Sequence, residues 1–152
     1  MTTPEYQAPP APPPTQGPSG PRASFGRRLV AALIDGILLG IIGGILSIAN
    51  KNLGYLDTLL SIAYFTYLEG SPSGQTVGKK AMGIRVIDFG GGGSIGYGRA
   101  FIRWIGRIVS GIACLLGYFW MLWDKEKQTW HDKFANAVVV PESAYPVESW
   151  PG

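Results

Sequence analysis

The residues that could do chemistry in this chain are few, and the first is a carboxylate where charge is expensive. Asp35 interrupts an apolar run over residues 29–49 that holds no other charge, and Arg28 stands seven residues before it. The run is 21 residues long, about 31 Å as a helix, close to the hydrocarbon thickness of a bilayer. An ionised carboxylate inside such a span costs on the order of 2.5–3.5 kcal/mol. One use that offsets this is a reversible proton or cation site, its pKa raised by desolvation and lowered by a nearby cation. The other is a permanent pair with an arginine of a later helix, Arg103 or Arg107, locking the packing without chemistry. The spacing leaves both open. Arg28 and Asp35 lie on nearly one helical face, about 10 Å apart along the axis, so contact requires the arginine stem to extend.

Arg99, Arg103 and Arg107 recur at i, i+4 and i+8 and form one helical stripe, suited to anionic lipid headgroups or to the carboxylates just named. Asp132, beside His131, is placed for a cytoplasmic entrance to such a charge network. Other chemistries fail on residue type. Residues 74–80 resemble a phosphate loop, but that pattern needs glycine at Ser73 and Ser or Thr at Lys80. His131 is the single histidine and Cys114 the single cysteine, so no zinc spacing, internal disulfide or nucleophile–base pair is available. The expectation is a non-enzyme with no metal and no cofactor, and Cys114 a small buried apolar residue. Trp120, Trp123 and Trp130 suit interfacial anchors.

These groups must be positioned by helices. Residues 1–24 carry most of the twelve prolines and no apolar periodicity, which predicts a disordered tail of polyproline II character. No cleavable signal peptide is legible there, so the first apolar run serves as an uncleaved insertion signal. Arg22, Arg27 and Arg28 precede it and keep the N-terminus cytoplasmic. Its glycines at 36, 40 and 44 repeat G-x-x-x-G, a strip for close helix packing that turns Asp35 toward protein. After a turn at residues 50–52, residues 53–68 return as an antiparallel helix with Asp57 at the interface. Residues 69–98 are polar: a basic turn, a strand at 84–88, a glycine turn, and a return strand near Ser94–Tyr97. The third segment, 99–123, has only 16 uncharged residues at its end, with Lys125, Lys127, Lys133 and His131 just beyond. A straight third crossing puts that basic flank outside and separates a strand at 137–140 from its natural partner at 84–88. Both conflicts vanish if the segment is a bent or re-entrant pair broken near Gly111 or Gly117.

Three blocks, RRLVAALIDGILL, GQTVGKKAMGIRVID and QTWHDKFANAVVV, stand in the order seen in the RDD family of small bacterial membrane proteins, which this chain resembles over about residues 25–140. The family is named for an arginine and two aspartates, which fall here on Arg28, Asp35 and Asp132. Its central motif falls on Gly74, Gln75, Thr76, Gly78 and Lys79, and its last block carries His131. The resemblance implies an α-helical membrane protein with three to four transmembrane or re-entrant helices and a small cytoplasmic β element. The tail, 1–24, would precede a membrane domain at 25–140 and a flexible C-terminal tail at 141–152. Transport has long been suspected for the family, and some members resemble proteins reported to exchange monovalent cations for protons. The long proline-rich tail is similar to that of actinobacterial members.

The expected function is therefore transport of a small cation or other solute in the bacterial plasma membrane, with Asp35 as the ion or proton site. The alternative is a membrane scaffold whose proline-rich tail recruits a cytoplasmic partner and whose buried charges only lock helices. Expected partners are the lipid bilayer and further copies of the chain in a homo-oligomer, since three or four short helices enclose little volume. Basic residues bracketing apolar runs fit a membrane surface better than nucleic acid.

Overall fold

The computed structural model describes residues 20–113 and 115–150. Residues 1–19 of the tail expected at 1–24, Cys114 and residues 151–152 lie outside the described residues. The last residues of that expected tail belong to the fold, Ala23 being buried with its amide donating to the Val139 carbonyl at 2.9 Å and Arg22 pairing with Glu126 at 2.6 Å. Six helices and one two-stranded sheet follow in the order α1 (Phe25–Ala49), α2 (Gly54–Gly70), α3 (Val77–Ala81), β1 (Ile84–Asp88), α4 (Gly96–Ile112), α5 (Leu116–Phe119), α6 (Trp130–Phe134) and β2 (Ala137–Pro141).

Ser24 caps α1, its hydroxyl accepting from the Arg27 amide at 3.4 Å. Among the described residues α1 is the one helix that is long and apolar enough by itself to cross a membrane. Its exposed face is a row of large apolar residues, Leu33, Ile37, Ile41, Ile45 and Ile48, while Ala31, Asp35 and Leu39 turn inward. A short 3₁₀ turn at Lys51–Leu53 reverses the chain into α2. The third apolar segment is bent: α4 ends at Ile112, α5 starts at Leu116, and Leu115 between them adopts φ 64°. The break falls between the two glycines named from sequence.

The strands at 84–88 and 137–141 pair antiparallel, with Ile84 opposite Pro141 and Asp88 opposite Ala137. Ile84, Val86, Ala137 and Val139 enter the main core with Ala31, Ile95 and Ala100. Ile87, Val138 and Val140 face the other way against Phe89 and Tyr145. Burial on both faces explains why AVVV is an unbroken apolar run rather than an alternation. The expected return strand near Ser94–Tyr97 is not formed. The Ser94 hydroxyl ties back to the Gly70 carbonyl at 2.9 Å, Gly96 opens α4, and the strand partner comes from the far end of the chain.

The segments around the sheet repeat one another. Gln75-Thr76 and Gln128-Thr129 each precede a five-residue helix, a residue with positive φ (Gly83 at 61°, Asn136 at 49°) and a strand. Both threonine hydroxyls accept from an amide three residues on, Lys79 at 3.2 Å and Asp132 at 3.4 Å. Both glutamine amides donate to the carbonyl nine residues on, Ile84 at 3.1 Å and Ala137 at 2.7 Å. The offset between copies is 53 residues, so Val86 corresponds to Val139, and these two are paired in the ladder. A local pseudo-twofold axis therefore passes through that pair, and the repeat is the scaffold on which the charged residues are hung.

Candidate functional site: a buried charge network beside an apolar cavity

Asp35 is 1% exposed and faces protein, but not by way of the glycine strip expected to pack there. Gly36, Gly40 and Gly44 are exposed, with nothing within 4 Å of where a Cβ would stand, and the buried row is Ala31, Asp35 and Leu39. Its carboxylate accepts three hydrogen bonds, from the Tyr64 hydroxyl at 2.6 Å, the Thr76 hydroxyl at 2.6 Å and the Gly78 amide at 2.8 Å. None of these donors is charged. The arginine partner expected from α4 is absent here, because Arg103 is engaged elsewhere. Gly78 is required by proximity: a Cβ there would lie 2.9 Å from Asp35 Oδ1 and collide with the Ala31 carbonyl. The central motif thus docks the start of α3 onto α1 through Asp35.

The second centre is Asp132, fully buried at the third position of α6. Arg28 reaches it at 2.7 Å, and Arg103 binds it through Nε at 3.2 Å and through Nη2. The Thr129 amide donates to its other side at 3.1 Å, closing a capping box. The signature arginine and the second signature aspartate therefore meet, while Asp35 is held apart by neutral donors. Burial pushes the Asp132 carboxyl upward, but Arg28 and Arg103 outweigh it and hold the group well below the ordinary carboxylate range.

Glu69, at the end of α2, is the third centre. Lys79 donates to it at 2.6 Å, and Arg103 and Arg107 both pair with it. Arg103 thus bridges Glu69 and Asp132, tying α2, α4 and α6 together. Burial lowers the pKa of Lys79, with Glu69 opposing the shift. Arg107 also lies over the Phe65 ring at 4.0 Å. Arg99 leaves the stripe: it pairs with Asp88 at 2.7 Å at the surface. Glu69 was missed from sequence because it reads as the first residue of a polar loop. The signal was present, since two arginines one turn apart in an apolar helix require an anion.

Beside the network is a cavity of about 530 Å³ between α1, α4 and α5. Arg28, Lys79, Arg103 and Arg107 reach its lining, against the single carboxylate of Asp35, and the rest is chiefly apolar. His131 also lines it, packed against Tyr118 with ring centroids 5.0 Å apart and the planes tilted by 58°. Burial and the surrounding arginines push the His131 pKa well below 6.5, so the ring is neutral at pH 7. Of the motif residues, Gly74 (φ 61°) and Gln75 brace β1, the former accepting from the Val86 amide at 2.8 Å, and neither lines the cavity. Among the described residues no group of three or more His, Cys, Asp or Glu side chains could hold a metal ion.

One apolar helix of bilayer length, its hairpin partner and carboxylates buried at one end make a mostly helical protein of the kind a membrane-associated family would have. The sequence profile of the RDD family matches residues 22–136, and the chain belongs to that family. It is 32% identical over 87 residues to the "Proline-rich antigen" of Mycobacterium leprae (strain TN), covering 55% of this chain and 34% of that protein. It is 31% identical over 77 residues to the "Proline-rich antigen homolog" of Mycobacterium tuberculosis (strain ATCC 25618 / H37Rv), covering 51% and 32%. The aligned region spans about a third of the length of these curated relatives. No solved structure matches.

Proposed function

We propose that the chain is a multi-pass protein of the bacterial plasma membrane, N-terminus cytoplasmic, that takes part in moving a small solute held in the cavity beside its charge network. The observation that carries this reading is the lining: four cationic side chains and one carboxylate in an otherwise apolar chamber. Small-solute sites have this character, apolar walls with a few convergent polar groups. The balance of charge favours an anion over the cation expected from Asp35 alone. Asp35 then acts as a clamp, since both its oxygens are already occupied by donors. The test is flux in vesicles carrying the purified full chain, with phosphate, chloride, sodium, potassium and protons as separate probes. Arg107→Gln is expected to abolish anion flux, and a folded Asp35→Asn to leave it largely intact. Cation or proton flux that vanishes in Asp35→Asn while anions do not move would overturn this reading in favour of an ion site at Asp35.

A second reading has its own support, because Asp35, Glu69 and Asp132 are all fully partnered. In it the chain is a scaffold, assembled as a homo-oligomer, whose proline-rich tail recruits a cytoplasmic protein. Deleting residues 1–19, which leaves Arg22, Ala23 and the Ser24 cap in place, separates the two: loss of function with full membrane insertion and normal flux favours the scaffold.

A further inference from the structure

The chamber is lined by two kinds of residue: the cations Arg28, Lys79 and Arg107 with the His131 ring, and apolar side chains that include Leu39, Ile108 and Leu115. Two buried polar atoms on lining residues have no hydrogen-bond partner among the described residues, Arg107 Nη1 and His131 Nδ1. Such atoms cost free energy unless a partner arrives. Glu69 and Asp132, the carboxylates that balance the arginines, stand behind the lining rather than in it. The face turned to the chamber is therefore positive. Gly36 and Gly111 also border it; both are exposed, with nothing within 4 Å of where a Cβ would stand, so the chamber is open on that side.

The geometry points to an amphiphile as the occupant, a compact oxyanion head at Arg107 and His131 carrying one hydrocarbon tail along Leu39 and Ile108. This rests on the solute reading above and names the chemical class that the chamber takes. A phosphate monoester and a carboxylate share the head chemistry. A free inorganic anion satisfies the cations but leaves the apolar wall wet, and a neutral alcohol does the reverse. The volume of about 530 Å³ lies within the roughly 300–1,000 Å³ typical of small-molecule sites.

The experiment uses the full chain in nanodiscs of zwitterionic lipid, with binding read by native mass spectrometry and calorimetry. The probes are dodecyl phosphate, dodecanoate, inorganic phosphate and dodecanol, and the first two decide between head groups. Head and tail together are expected to bind at least about tenfold more tightly than either alone. Arg107→Gln weakens binding by about tenfold or more. Glu69 keeps Arg103 and Lys79 in that variant. Gly111→Leu touches no charge and fills the tail space, so it selectively weakens the long-chain probes. Equal affinity for inorganic and dodecyl phosphate, no binding of any probe, or binding unmoved by both variants overturns the inference. Anion flux that persists without amphiphile binding leaves the solute reading standing and sinks this one. Tight amphiphile binding without flux does the opposite.

Discussion

The two copies of the Gln-Thr motif share a backbone and differ in where their carboxylate comes from. The first, residues 75–88, has none at its helix start and takes Asp35 from α1, held by the Thr76 hydroxyl, the Gly78 amide and Tyr64. The second, residues 128–141, supplies its own in Asp132, which then collects Arg28 and Arg103. A helix N-terminus favours a negative charge in both cases. The difference is electrical. The first joint is a carboxylate held by neutral donors, whereas the second is a hub of ion pairs, so the two respond differently to removal of a cation.

The harshest way to break the comparison is Arg103→Met, which removes the side chain that touches both Glu69 and Asp132. Leaving those carboxylates short of a cation costs about 3–5 kcal/mol. Detergent-solubilised protein is expected to lose most of its stability in a denaturant titration, and Arg103→Lys to recover part of it.

Next in size is the contrast between the threonines. Thr76 both caps α3 and donates to Asp35, while Thr129 caps α6 and meets Arg28 only at 3.4 Å. Thr76→Val is expected to cost about 2–3 kcal/mol and Thr129→Val about 1 kcal/mol. Equal costs in unfolding experiments would mean that the first joint adds nothing beyond its cap.

Acid probes the second joint. Asp132 has its pKa lowered in the folded chain, chiefly by Arg28 and Arg103 against burial. Its contribution is complete above the unfolded carboxylate value of about 4 and is lost as pH falls through the folded value. Asp132→Asn should therefore be less stable at pH 7 and flatter below about pH 4 than the parent. His131 works earlier in the same direction: buried and neutral when folded, it takes a proton in the unfolded chain below 6.5. Stability falls as pH drops from about 6.5 toward the folded value, and His131→Gln is expected to remove that slope. Thermal unfolding midpoints between pH 7 and 3 for the parent and both variants read these effects, the second being the smallest of the series.

Much of this was legible beforehand, and the reasons differ by residue. The α1–α2 hairpin, the break in the third segment and the pairing of residues 84–88 with the C-terminal strand follow from apolar length and strand edges, and the inward turn of Asp35 from the cost of a charge in an apolar helix. The glycine strip of α1 played no part, since Gly36, Gly40 and Gly44 are exposed. The partners of Asp35 did not follow, because a hydroxyl and an amide 41 and 43 residues away leave no charge pattern to read. Glu69 hid at a helix end that reads as loop. The repeat, with Gln and Thr shared at an offset of 53 residues, was present in the letters. It is short and diverged, and its meaning comes from the strand register that pairs Val86 with Val139.

The central claim is that the family's first aspartate is a clamp joining α1 to α3 through neutral donors. A double-mutant cycle between Asp35→Asn and Thr76→Val, read by equilibrium unfolding in detergent, tests it most directly. A coupling of about 1–3 kcal/mol between the two sites is expected. Additive effects, within about 0.3–0.5 kcal/mol, would contradict it and return Asp35 to the role of an ion site.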